Sequence, residues 1–203
     1  MAISDRSVSP EPVPDRLNRL LEFGVGAVQL RDKTASDRIR YSWLKQVNPS
    51  GKYVLVNGRW DLAALTGSDG VHCPSTGLPL SVLRSLRSRN DFIYGRSTHS
   101  LEDVLKAQEE GMDYVTFGPI FPTPSKPELD RENCPGLKGL SKVTDETNIP
   151  VLALGGVTVD RIKKCLEAGA YGAAGIRALF EPEDPSRHWR EIHSTLNDFF
   201  GGH

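Results

Sequence analysis

Short apolar runs alternate with longer amphipathic segments from one end of the chain to the other. The runs have the length of buried strands, and the segments between them repeat apolar positions at the spacing of a helix face. The predicted strands are 2–4, 25–31, 52–57, 69–73, 92–96, 112–117, 150–154 and 171–176. The predicted helices are 14–23, 35–46, 59–66, 79–88, 100–110, 137–147, 158–168 and 186–199.

Strands that alternate with helices pair in parallel, because each helix carries the chain back to the start of the next strand. Eight such units close into a barrel more readily than they spread as an open sheet. The sequence therefore predicts the α/β class and a single (β/α)8 TIM barrel over residues 1–203. In this architecture the catalytic residues lie just after the strands. The charged and polar residues of this chain that suggest a function lie at these positions.

The composition is typical of a soluble globular domain, with 203 residues, a net charge of −1, 38% hydrophobic residues and 25% charged residues. No apolar stretch approaches the roughly 18 residues of a membrane span, and the N-terminus lacks the apolar segment of a signal peptide. We therefore expect a cytoplasmic protein with no membrane partner. The near-neutral charge, without a basic cluster, argues against a nucleic-acid partner.

The cysteines are Cys73, Cys134 and Cys165, an odd number at wide spacing. This spacing indicates neither a disulfide framework nor a cysteine metal site, so we expect reduced thiols. The last predicted helix carries Trp189, Ile192 and Leu196, which are core or interface residues. A homo-oligomer therefore stays open as a partner arrangement.

Glycine-rich segments lie where the last two predicted strands lead into helices. Gly155 and Gly156 end one strand, and GAAGIR at 172–177 is the other segment. Bare main-chain amides at the start of a helix are how such barrels hold a phosphate group. The pattern therefore predicts a phosphorylated small molecule as the ligand.

Three further segments place polar groups after strands. Gln29 and Arg31 share one side of the second strand, and Arg31 with Lys33 can bind an anion or form ordinary ion pairs. Ser97 and His99 stand where a substrate would lie, although the nearby Ser100 reads equally as a helix cap. The proline-rich loop at 118–126 is either a rigid linker or, as its hydroxyls and lysine favour, a lid over an anion.

Ordered motifs along nearly the whole chain resemble the thiamin phosphate synthase/TenI superfamily. They are QLRDK at 29–33, Asn57, DGVH at 69–72, GRSTHS at 95–100, GPIFPTPSK at 118–126 and ALGGV at 153–157. The resemblance implies a (β/α)8 barrel of thiamin biosynthesis that binds a thiazole phosphate. In the synthase branch, a pyrimidine methyl diphosphate loses diphosphate with magnesium, and the thiazole nitrogen captures the carbocation. In the TenI branch, a thiazole carboxylate phosphate tautomer is aromatised by a proton shift.

The resemblance also implies roles for individual residues. The pyrimidine and diphosphate would lie among Gln29, Arg31, Lys33, Asn57 and Ser97. The diphosphate and thiazole side would meet Thr123, Ser125 and Lys126, and the thiazole phosphate would lie at Gly155, Gly156, Ile176 and Arg177. Guanidinium, ammonium and hydroxyl donors suit a leaving diphosphate, because its growing negative charge must be stabilised.

The chain departs from the synthase pattern at Gly58 and Gly77. Similar synthases carry aspartates at these positions, and those carboxylates are the family's magnesium ligands. Glycine offers a hard cation no side-chain oxygen, so no metal ligand is predicted, and magnesium is expected as a cofactor only if synthase activity is retained. The Asn-Gly-Arg turn is closer to the TenI branch, which makes a TenI-like protein the main interpretation.

The TenI pattern is incomplete as well, because its acid/base histidine is replaced by Pro119. A proton transfer would need another group, and His72, His99 and Cys73 are the candidates by position. Each histidine can instead have a structural role at a strand end or helix start. The predicted catalytic residues are His72, His99 and Lys126.

Three functions within this superfamily stay open. The chain is a TenI-like enzyme, it is a synthase with an altered magnesium site, or it binds a thiazole phosphate without turning it over. A more remote alternative is another phosphate-binding barrel, such as those of tryptophan or histidine biosynthesis, which share the glycine turns.

Overall fold

The computed structural model describes residues 1–9, 11–85, 91–124, 134–180 and 184–201. The strands are β1 (Ala2–Ile3), β2 (Ala27–Leu30), β3 (Tyr53–Asn57), β4 (Gly70–Cys73), β5 (Ile93–Thr98), β6 (Tyr114–Phe117), β7 (Val151–Leu154) and β8 (Gly172–Ala174). The helices are α1 (Val13–Glu22), α2 (Asp37–Gln46), α3 (Trp60–Thr66), α4 (Leu80–Ser85), α5 (Leu101–Glu110), α6 (Gly136–Glu146), α7 (Val159–Glu167), α8 (Arg177–Phe180) and α9 (Pro185–Phe200).

The strands form one parallel sheet in the order β1 to β8, and the sheet closes on itself. Closure runs through Gly175, just after β8: the Ile3 amide donates to its carbonyl at 2.9 Å, and its own amide donates to the Met1 carbonyl at 3.1 Å. A closed parallel sheet surrounded by helices is the predicted (β/α)8 barrel, so the fold prediction is confirmed.

The helices cover the barrel because each has an apolar stripe. In α1, Val13, Leu17, Leu20 and Leu21 are buried at the spacing of one helix face. Their side chains belong to the same core cluster as Leu30, Val56 and Val71 of the strands. Among the described helices, none combines the length and the apolar character that a membrane crossing requires.

Most predicted elements differ from the structure by one or two residues at an end, and two differences bear on the site. Strand β5 runs on to Thr98, so Ser97 lies within the strand and not in the turn after it. The short helix α8 was not predicted, because four residues are too few to show a helical period. Part of the predicted fourth helix, 86–88, lies outside the described residues.

Helix α5 begins with a capping box. Ser100 Oγ accepts from the Asp103 amide at 3.1 Å, and Asp103 Oδ2 accepts from the Ser100 amide at 3.1 Å. This pair satisfies two amides that the first helical turn leaves without partners. The cap interpretation of Ser100 is therefore confirmed.

Candidate active site

Polar side chains from five neighbouring strands meet inside the barrel. The His72 Nε2 and Ser97 Oγ atoms are 2.9 Å apart, and the His72 Nδ1 atom is 2.9 Å from the Tyr114 hydroxyl. Asn57 Nδ2 donates to Gln29 Oε1 in a long contact of 3.5 Å. Side chains alternate along a strand, so residues two apart on β2 to β6 point into the same interior. The predicted residues Gln29, Asn57, His72 and Ser97 therefore share one cluster.

Two members of the interior cluster are almost completely buried. His72 is 3% exposed and Gln29 is 1% exposed. Burial lowers the pKa of His72 from its usual 6.5 to about 4, so the imidazole is neutral at physiological pH. Burial also raises the pKa of Tyr114 well above its usual 10, and the phenol keeps its proton.

Gln29 combines a buried amide with a nearby phenol. Its Nε2 atom is buried without a hydrogen-bond partner of normal geometry among the described residues. The Gln29 side chain nevertheless acts to lower the pKa of Tyr114, against the larger opposite effect of burial. A buried amide of this kind has donor capacity left for a ligand.

His99 lies outside this cluster, just after β5. Its Nδ1 atom is 2.5 Å from the Gly118 carbonyl, and its amide donates to Asp103 Oδ2 at 3.0 Å. The carbonyl can only accept, so Nδ1 carries the proton and Nε2 is left as an acceptor in the neutral ring. His99 thus connects the end of β5 to the loop after β6, and its proton-transfer role stays a prediction.

A polar cavity of about 270 Å³ opens between the ends of β8, β1 and β2. It is lined by Asp5, Ser7, Val8, Arg31, Ile176 and Arg177. The Arg31 guanidinium is 3.7 Å from the Asp5 carboxylate, and both side chains are partly exposed. Ser4 fixes the backbone of Arg31, accepting from its amide at 2.8 Å and donating to its carbonyl at 2.9 Å. Three predicted residues thus line one cavity at the carboxyl end of the barrel.

The double glycine after β7 has a packing role. Gly155 and Gly156 have φ angles of +91° and +62°, which favour glycine. A Cβ on Gly155 would lie 2.4 Å from Cβ of Pro119, and one on Gly156 would lie 2.6 Å from the Pro122 carbonyl oxygen. The loop after β6 therefore rests directly on this turn. Phosphate binding by these glycines stays a prediction.

The remaining predicted residues belong neither to the interior polar cluster nor to the lining of the polar cavity. Lys33 is exposed beyond the end of β2, and Thr123 is half-buried in the loop after β6. Ser125 and Lys126 lie outside the described residues.

The residues do not fit the family's magnesium site. Neither Gly58 nor Gly77 has a side chain that could bind a cation. Gly58 has a φ of +66°, which favours glycine, and a Cβ on Gly77 would lie only 3.0 Å from the Pro74 carbonyl oxygen. The carboxylates of Asp61 and Asp37 both pair with Arg59. Within the described part of the chain, no three His, Cys, Asp or Glu side chains are grouped to hold a metal ion.

A larger cavity of about 1030 Å³ lies at the opposite end of the barrel. Its lining includes Tyr53, Tyr171 and Gly172, which stand at or beside the beginnings of strands, and Trp189 of α9. Most of the lining is apolar. Catalysis in (β/α)8 barrels takes place at the carboxyl ends of the strands, so the smaller polar cavity is the candidate site.

Tyr114, Asp5 and Ser7 are site residues that the sequence motifs do not indicate. Tyr114 lies inside the barrel at the beginning of β6, whereas the predicted site residues lie at or after the ends of strands. Its signal is the period-two spacing with Thr116, whose Oγ1 atom is 3.4 Å from His72 Nε2. Asp5 and Ser7 follow the two-residue strand β1, which has little sequence signal. Their place beside Arg31 and Arg177 depends on the closure of the barrel.

A closed parallel barrel with a polar cavity at the carboxyl ends of its strands places the protein in the class of (β/α)8 barrels. A family model described as thiamine monophosphate synthase matches residues 1–179, and the chain belongs to this family. The proposed resemblance is confirmed, and the barrels of tryptophan and histidine biosynthesis are set aside.

Particular relatives agree with the family. The putative thiamine-phosphate synthase 2 of Aquifex aeolicus is 44% identical over 184 residues, covering 89% of this chain and 96% of the relative. The thiamine-phosphate synthase of Pyrococcus horikoshii is 30% identical over 203 residues, covering 98% and 95%. The solved thiamine phosphate pyrophosphorylase of Pyrococcus furiosus superimposes with a TM-score of 0.87 at 30% identity, covering 98% and 96%.

More distant structures share the fold alone. The 3-hexulose-6-phosphate synthase of Salmonella typhimurium superimposes with a TM-score of 0.71 at 16% identity, covering 97% of each chain. Within the family, the relatives described above are named as synthases. These comparisons give the TenI-like interpretation no support, and the synthase alternative fits them better.

Proposed function

We propose that this protein is a thiamin phosphate synthase, which joins a pyrimidine methyl diphosphate to a thiazole phosphate and releases diphosphate. Two observations carry the proposal: the cavity at Arg31, Ile176 and Arg177, and the interior polar cluster of the same barrel. One region suits a phosphate group and the other a polar heteroaromatic ring. Full-length relatives named as synthases support the choice of reaction.

The thiazole phosphate is assigned to the cavity. The guanidinium of Arg31 is held there by its Ser4-anchored backbone, and guanidinium groups match phosphate oxygens in charge and geometry. Asp5 faces the same guanidinium at 3.7 Å and would repel a phosphate. A phosphate therefore binds in competition with the Asp5 ion pair, which limits its affinity.

The pyrimidine is assigned to the mouth of the interior cluster. Gln29 and Asn57 supply amides, and the half-buried Ser97 supplies a hydroxyl. An aminopyrimidine has both ring acceptors and an amino donor, which amides and hydroxyls can match.

The reaction breaks the bond between the pyrimidine methylene carbon and the diphosphate oxygen. The diphosphate leaves with the electron pair, and the thiazole nitrogen donates its lone pair to the carbocation to form the new C–N bond. Stabilising the charge on the departing diphosphate is the main task of the protein. As the resemblance implies, we assign this task to Lys33 and Lys126, and no step is assigned to a metal.

A second candidate is binding without turnover. It is favoured by Gly58 and Gly77, which leave the family's cation site without its carboxylates. In this case a thiazole phosphate binds in the same cavity, but the pyrimidine methyl diphosphate is not consumed.

The experiment measures thiamin phosphate after incubation of the purified protein with both substrates. Thiazole phosphate alone should raise the melting temperature, because it binds the folded state. Arg31→Ala should weaken its binding about tenfold, as expected for the loss of a charged hydrogen bond. The matched control is Arg187→Ala, since Arg187 is an exposed arginine of α9. Binding without product would support the second candidate, and an absence of binding would contradict both.

A further inference from the structure

Three side chains inside the barrel form a continuous row of hydrogen-bonding groups, which we call the His72 relay. It consists of the Tyr114 hydroxyl, the His72 imidazole and the Ser97 hydroxyl, with 2.9 Å on each side of the imidazole. Tyr114 and His72 are buried, whereas Ser97 is half-exposed. The row therefore leads from the interior of the barrel to the proposed pyrimidine position.

A glycine makes the relay sterically possible. His72, Gly95 and Tyr114 stand opposite one another on β4, β5 and β6. A Cβ on Gly95 would lie 2.1 Å from Cζ of the Tyr114 ring. The phenol thus crosses β5 through the space that Gly95 leaves, and this is why the middle of a buried strand lacks a side chain.

The direction of the two His72 hydrogen bonds follows from the acceptors that the Tyr114 hydroxyl can reach. The Tyr114 hydroxyl has the His72 Nδ1 atom at 2.9 Å and the Met1 thioether sulfur at 4.0 Å. A thioether is a weak acceptor, and a buried hydroxyl without a good acceptor is destabilising. The phenol therefore donates to Nδ1. A neutral imidazole that accepts at Nδ1 carries its proton on Nε2, which then donates to Ser97 Oγ.

We propose that His72 is a positioning residue, which occupies the acceptor side of Ser97 so that the Ser97 hydroxyl donates its proton to an acceptor atom of the pyrimidine diphosphate. The assignment of the acceptor rests on the proposed function. A histidine engaged by hydroxyls at both ring nitrogens is better placed to orient a donor than to take a proton from a substrate. The relay gives Ser97 a fixed polarity, which an isolated serine lacks.

The proton arrangement can be tested without any substrate. Nitrogen-15 NMR of the imidazole distinguishes the two neutral tautomers, and His72→Asn identifies the signal. We expect the Nε2-protonated form at neutral pH in the wild-type protein. In Tyr114→Phe, which keeps the ring but removes its donor, the form protonated on Nδ1 should gain population. A wild-type imidazole protonated on Nδ1, or on both nitrogens, would overturn the proposal.

The coupling to Ser97 is tested with a double-mutant cycle on the dissociation constant of pyrimidine methyl diphosphate. Tyr114→Phe should weaken binding about fivefold and Ser97→Ala about tenfold, the range of a single hydrogen bond. The double variant should be no weaker than Ser97→Ala, because the phenol acts through the serine. The matched control is Tyr94→Phe, a buried tyrosine of β5 that packs against Phe92, and it should change binding less than twofold.

The two measurements separate the possible failures. Additive effects of Tyr114→Phe and Ser97→Ala would mean that the phenol is merely structural, and the relay would be rejected. A wild-type protein that does not bind the pyrimidine diphosphate would reject the proposed function and the assigned acceptor, while the NMR result would still decide the proton arrangement.

Discussion

The buried imidazole of His72 makes the stability of the barrel depend on pH. In the unfolded chain His72 takes up a proton near its usual pKa of 6.5, whereas burial lowers its pKa in the folded protein to about 4. Between these values the unfolded state binds one proton more than the folded state. The free energy of unfolding is therefore intact above pH 6.5 and decreases as the pH falls toward 4.

The size of the effect follows from the pKa difference. Each pKa unit corresponds to about 1.4 kcal/mol, so the full effect of His72 is on the order of 3 kcal/mol, of which about 2 kcal/mol has been lost near pH 4.5. This is a substantial part of the 5–15 kcal/mol by which domains are usually stable.

The assay is urea denaturation of the wild-type protein and His72→Asn between pH 7 and pH 4.5. The variant lowers stability at every pH, but its free energy of unfolding should fall by about 2 kcal/mol less over this interval. Groups other than His72 are the same in both proteins, so the difference between the two curves reports on His72. Partial burial raises the pKa of Asp32, but hydrogen bonds from Ala35 and Thr34 outweigh it and keep the pKa below its usual 3.8. Its contribution is therefore lost only below this interval. Parallel curves for the two proteins would refute the reasoning.

Three further predictions concern packing and metal binding. Gly95→Ala should lower the free energy of unfolding by about 1–3 kcal/mol in urea denaturation, because the new Cβ overlaps the Tyr114 ring; an unchanged midpoint would contradict this. Leu17→Ala should cost about 2–5 kcal/mol in the same assay, since Leu17 is 0% exposed in the core, and a loss below about 1 kcal/mol would show that the helix is not packed as described. Magnesium should leave the melting temperature and the affinity for thiazole phosphate unchanged, because Gly58 and Gly77 supply no carboxylates; stabilisation that a chelator reverses would contradict the description of the site.

Much of the barrel could be predicted from the sequence because its elements carry local signals. The alternation that places Gln29 inside and Leu30 outside the barrel is visible in the order of residues. The short helix Arg177–Phe180 gives no such signal. The exact end of β5 has no local signal either, because the sequence of Ser97 and Thr98 is typical of a polar turn.

The candidate site was predictable in part. Arg31, Ile176 and Arg177 could be named from their positions after strands, but their common cavity depends on the closure of β8 onto β1. The contact between His72 and Tyr114 joins residues 42 apart in sequence, and it depends on the space left by Gly95. Contacts of this kind come from the three-dimensional path of the chain, which local periodicity does not encode.

The central claim is that the protein joins a pyrimidine diphosphate to a thiazole phosphate. It is tested most directly by incubating the purified protein with pyrimidine methyl diphosphate and thiazole phosphate and quantifying thiamin phosphate and released diphosphate. We predict equal amounts of the two products, made with and without a magnesium chelator and strongly reduced in Arg31→Ala but not in Arg187→Ala. No product under any of these conditions, with thiazole phosphate bound, would contradict the synthase assignment.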